Sequence, residues 1–109
     1  MFIVIGTETY NSELKKWSKQ DYNQAEKIPK KLAENPYIGR ELTYPFLREK
    51  RINGKRIYYL IYEDFKLVLL VAVSDKRDQQ MTIDHIKENL KEFREVAEDL
   101  SKSFKSTFL

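Results

Sequence analysis

The run KLVLLVAVS, Lys66 to Ser74, is apolar at odd and even positions alike. Side chains alternate between the two faces of a β-strand, so a strand with this pattern must be covered on both sides and sit inside a sheet rather than at its edge. That requirement excludes an all-helical chain and a sheet with one wet face. The partners come from the residues just before it. Phe46 to Ile52 and Lys55 to Glu63 alternate with period two, and Asn53-Gly54 between them supplies the positive φ angles of a two-residue type I′ turn. Glu63-Asp64-Phe65-Lys66 makes the next turn. Three antiparallel strands follow, joined by short connections.

The ends of the chain supply the cover. Phe2 to Ile5 form a short β-rich run ending at Gly6, and Thr7 or Thr9 can cap a helix that carries Leu14 and Trp17 on one face. Tyr22, Ala25, Ile28 and Leu32 recur at helical spacing and predict a second helix antiparallel to the first. Pro29 either kinks that helix or marks a late start. Pro36 and Gly39 stop it. From about Thr82 an apolar stripe of Ile83, Ile86, Leu90, Phe93, Val96 or Ala97, and Leu100 predicts a last helix. Lys91–Glu95 and Arg94–Glu98 support it on the wet side. The order β-α-α-β-β-β-α is that of an α+β domain with a mostly antiparallel sheet of about four strands. One domain over residues 1–100 accounts for the pattern, with a flexible tail at 101–109.

Composition narrows the chemistry. The 109 residues include no cysteine and one histidine, His85, which excludes thiolate catalysis and a Cys- or His-rich metal site. No metal and no cofactor is expected. The apolar start is too short for a signal peptide or a membrane span, so a cytoplasmic protein is expected. The net charge is only +3, but residues 45–77 carry eight Lys/Arg against four Asp/Glu, and residues 78–109 carry five against seven. A basic middle and an acidic end suggest one surface that faces an anion and another that does not.

The basic residues crowd one turn. Positions equidistant from Asn53-Gly54 face each other, which pairs Arg51 with Arg56 and Glu49 with Tyr58 on one face. Arg48–Tyr59, Lys50–Ile57 and Phe46–Ile61 lie on the other. Directly opposed like charges cost up to roughly 1 kcal/mol, which Glu49 can offset in part. One reading is a solubilising hairpin tip. The other is a cationic platform with a tyrosine on its floor, suited to phosphate and base stacking. Lys76 and Arg77, in the segment Asp75-Lys76-Arg77, either extend that rim or form an ordinary charged loop.

The helical hairpin with LKKW, the helix end at NP, then LREKRINGKRIYYLIYED and LVLLVAVSDKRDQQ before a final helix resemble the RelE/ParE superfamily of type II toxins over residues 2 to 90. For RelE-type members the resemblance implies ribosome-dependent mRNA cleavage, by attack of a ribose 2′-OH on the adjacent phosphorus. A base, an acid and fixed cations for the phosphate are needed, with no metal. A cognate antitoxin would neutralise the toxin, and its partners would be the ribosome and mRNA. For ParE-type members it implies gyrase inhibition instead, and a non-catalytic binding module on the same fold is a further alternative. Carried onto this chain, the catalytic positions are Arg56, Arg51 and Arg77, with Glu49 as a carboxylate base. The terminal Tyr or His of the nuclease pattern has no direct match. His85, expected in the first turn of the last helix, is the nearest acid/base residue. Arg48, Lys50, Lys55, Tyr58 and Lys76 are the expected RNA-binding residues. The second half of the last helix, Phe93 to Leu100, has less domain to cover, and is expected to contact an antitoxin or a second copy.

Overall fold

A computed structural model of the chain describes the backbone of residues 1–108 and the side chains of residues 1–104. Strands β1 (Ile3–Gly6), β2 (Arg40–Leu42), β3 (Tyr44–Ile52), β4 (Lys55–Tyr62) and β5 (Leu67–Asp75) form one sheet in the order β1-β5-β4-β3-β2. Only β1 and β5 run parallel; the other pairs are antiparallel. As its two-faced apolar pattern requires, β5 is interior, between β1 and β4. The sheet has one strand more than expected. Residues 40–42 are too few and too polar to show a period of their own, and they become the edge strand β2 because β3 offers a free ladder.

Among the described residues five α-helices cover the sheet. On one face lie α1 (Glu8–Leu14), α2 (Lys19–Ala25) and α3 (Ile28–Glu34), which bury Tyr10, Leu14, Ala25, Ile28 and Leu32 against Ile57, Tyr59, Ile61, Val68 and Leu70. Thr7 caps α1 by accepting from the Tyr10 N–H, and Ser18 caps α2 by accepting from that of Asp21. The expected two-helix hairpin is thus three short helices. Pro29 lacks an N–H and its ring would meet the carbonyl one turn back, so α2 stops at Ala25 and Pro29 falls in the first turn of α3.

The other face is covered by α4 (Gln79–Glu88) and α5 (Leu90–Phe108), where Ile83, Ile86 and Ala97 pack on Leu47, Tyr58, Leu60, Leu69 and Val71. The expected single last helix is broken at Asn89, whose side-chain amide donates to the His85 carbonyl at 2.8 Å and competes with the helical ladder. Helix α5 continues into residues 101–108, but side chains from 105 onward lie outside the described residues, as does all of residue 109. The tail expected at 101–109 falls largely there. Among the described residues no helix is long and apolar enough to cross a membrane.

Candidate functional site

The hairpin between β3 and β4 turns as its sequence dictates. Asn53 has φ 47° and Gly54 φ 80°, and the register pairs Arg51 with Arg56, Glu49 with Tyr58, Lys50 with Ile57 and Arg48 with Tyr59. Glu49, Arg51, Arg56 and Tyr58 therefore share the face that α4 covers, and this decides how their charges are used.

Glu49 is 1% exposed and its carboxylate is the hub of the site. Gln79, at the start of α4, donates to Oε2 at 3.0 Å, and Arg56 Nε stands 3.9 Å from the same oxygen. Arg40 from the edge strand and Arg51 approach Oε1 at 3.7 and 3.8 Å. The β2–β3 register places Arg40 directly opposite Glu49. A carboxylate taken out of water costs several kcal/mol unless it is paired, and here three guanidinium groups surround one carboxylate. Their mutual repulsion across the turn is offset by that single negative charge. Two polar atoms remain unmatched: Glu49 Oε1 and Arg56 Nε are buried without a hydrogen-bond partner.

The guanidiniums differ in access. Arg56, which the resemblance placed first among the catalytic positions, is 3% exposed and donates to the Gly54 carbonyl at 2.9 Å. It is an internal strut, and the expectation of an open Arg51/Arg56 pair is corrected accordingly. The side chains that face outward from the hub are Arg40 and Arg51, 64% and 58% exposed. Glu49, expected as a base, lies beneath them. Tyr58 is wholly buried, with its hydroxyl 2.7 Å from Ser74 Oγ, and burial raises its pKa. It offers no ring face to a base.

Lys76 and Arg77 are exposed where β5 leaves the same end of the sheet, and Arg77 touches Asp75 at 3.7 Å. The remaining expected RNA contacts belong to the opposite face. Arg48 donates to the carbonyls of Pro45 and Gly39 and pairs with Glu41, which ties β3 to the turn before β2. Lys55 pairs with Asp21 and lies over the Trp17 ring, pinning the hairpin to α2. Lys50, half-buried, faces the same way.

His85 is in the last turn of α4, not the first. It lines a separate, largely apolar hollow of about 590 Å³ with Ile5, Val71, Phe93 and Leu100, away from the hub. Sequence reading missed Arg40 and Gln79. The available signal was the lone Glu49 inside a basic run, which needed more partners than one hairpin supplies.

No protein-family model matches the sequence, and no curated protein is similar to it at a significant level. Solved structures are similar in fold. A mutant E. coli toxin RelE in the free state superposes with a TM-score of 0.68 at 15% identity, over 80% of this chain and 96% of that one. A chain of the intact E. coli RelBE toxin-antitoxin complex gives 0.62 at 18% identity, over 69% and 96%. One from the toxin-antitoxin complex RelBE2 of Mycobacterium tuberculosis gives 0.61 at 19%, over 69% and 98%. The chain has the RelE-like toxin fold.

Proposed function

We propose that this chain is a RelE-like type II toxin that binds messenger RNA on the face around Glu49, cleaves it on the ribosome and so arrests translation, and that a cognate antitoxin neutralises it. The observation that carries this reading is the exposed guanidinium of Arg51, held beside the buried Arg56–Glu49 pair at the basic end of a RelE-like sheet, with Lys76 and Arg77 at the same rim. Cations fixed by a rigid sheet grip phosphate oxygens without reorganising, and arginine can grip two at once. Neutralisation by an antitoxin rests on the neighbours crystallised as toxin-antitoxin complexes.

One observation favours a second reading. An in-line attack by a ribose hydroxyl needs an acid and a base within hydrogen-bond reach, yet Tyr58 and Glu49 are buried and His85 lines another hollow. A binding inhibitor, ParE-like on gyrase or another module of the same fold, needs neither group. Induced expression without an antitoxin separates the two. Under the first reading, growth stops, translated messages show mapped cuts, and Arg51→Ala lowers cutting at least tenfold while the protein stays folded. A DNA-damage response with intact messages favours the gyrase inhibitor. Unchanged growth and intact messages would end the toxin reading.

A further inference from the structure

Beside Arg40, on the side away from the hairpin tip, is a hollow of about 370 Å³ lined by Leu42, Thr43, Gln79, Gln80 and Ile83. The β2–β3 register sets the order. Arg51 lies two residues from Glu49 toward the tip, Arg40 lies opposite Glu49, and Leu42 lies beyond it in the other direction. An exposed guanidinium pair therefore leads into a recess whose floor is Leu42 and Ile83 and whose rim carries two amides and a hydroxyl.

The charges around Glu49 do not balance. Three guanidiniums meet one carboxylate, every ion pair is 3.7 Å or longer, and Glu49 Oε1 and Arg56 Nε have no hydrogen-bond partner although both side chains are more than nine-tenths buried. The cluster is two positive charges in excess, the charge of one phosphate dianion or two phosphodiester groups. Glu41 also lines the recess, but its carboxylate is engaged by Arg48 at 3.5 Å. Gln79 donates one N–H to Glu49 and Gln80 one to Asp84, which leaves each amide a carbonyl to accept and a second N–H to donate.

We infer that Arg40 and the recess beside it form a nucleotide subsite for single-stranded RNA, in which Arg40 and Arg51 hold phosphate oxygens and the amides of Gln79 and Gln80 meet the edge of an unstacked base. This rests on the reading of the face as an RNA-binding surface and names what the edge strand adds to it. Base edges of single strands are read in this way by side-chain amides and backed by apolar surface. A purely acidic protein segment would use the arginines but leave the amide-rimmed recess without a role.

The test is binding of a short fluorescent single-stranded oligoribonucleotide at several salt concentrations, by the wild type, Arg40→Ala, Arg40→Lys and Arg51→Ala, each checked for an unchanged melting profile. Arg40→Ala should weaken binding severalfold and make the slope of log K against log salt shallower by about 0.7, the contribution of one phosphate on a single strand. Arg40→Lys should restore the slope but not the whole affinity, because an ammonium keeps the charge and loses the fork. Should Arg40→Ala match the wild type in affinity and slope while Arg51→Ala is weakened, the subsite is refuted and the RNA-binding face remains. Should the wild type bind no oligonucleotide, the subsite is refuted too, and the expression experiment decides the toxin reading independently. Arg40-dependent capture of a polyglutamate peptide but not of RNA would give the surface to an acidic protein segment and overturn the inference.

Discussion

Glu49 is the residue on which the site depends, because it holds arginines from three strands, its own included, and the first residue of a helix. Glu49→Ala would leave Arg56 buried with no counter-charge, a loss of about 3–5 kcal/mol for a pair of this kind. Urea unfolding should show that loss as a lower midpoint with an unchanged slope. A shift worth less than about 1 kcal/mol would mean that the pair does not hold the strands together. The same geometry explains why the sequence misdirected attention to Arg56. Its position in the hairpin is legible, but its burial beside Glu49 is a matter of tertiary packing, which no local pattern in the hairpin encodes.

At the scale of elements, the hairpin tip is tied to α2 by Asp21. That carboxylate accepts from the Asn53 amide at 2.9 Å and pairs with Lys55, which in turn lies over Trp17. The hydrogen bonds from Asn53 and Lys55 hold the Asp21 pKa below its usual value. A depressed carboxylate contributes stability above its unfolded pKa, near 4, and loses it as pH falls through the lower folded value. The tip should therefore loosen in acid before the sheet does. In Asp21→Asn, amide hydrogen exchange at Asn53 to Lys55 should be faster at neutral pH, with the β4–β5 amides unaffected. Equal protection in variant and wild type would show that the tip is held by its turn alone.

The whole molecule is one sheet between two cores. Residues 56 to 62 of β4 are buried without exception, alternately under α1–α3 and under α4–α5. Tyrosines serve both sides. Burial raises the pKa of Tyr10 and Tyr59 in one core, and of Tyr58 and Tyr62 in the other, with Tyr62 at about 12. In the unfolded chain these phenols ionise near 10, so above that pH the unfolded state releases protons that the folded state retains. Stability should be complete below about pH 10 and fall as pH rises toward 12. Tyrosinate absorbance and helical circular dichroism should change together in one alkaline transition. Ionisation of the buried tyrosines while the helical signal persists would show that the two cores open separately.

The strands, turns and register were legible because they are local. Asn53-Gly54 sets the turn, period-two alternation assigns the faces, and the two-sided run from Leu67 onward must lie inside the sheet. The same patterning brought Arg51 and Arg56 to one face and predicted α4–α5 as cover, though not the break at Asn89. Tertiary structure alone decided which charges meet water. Burial is set by what packs from elsewhere: β2, too short to announce itself, brings Arg40 opposite Glu49, and α4 packs on Tyr58, sends Gln79 to Glu49 and carries His85 to another hollow. A sequence fixes which face a side chain occupies through the geometry of its own strand, whereas accessibility and charge pairing depend on segments that sequence distance does not relate.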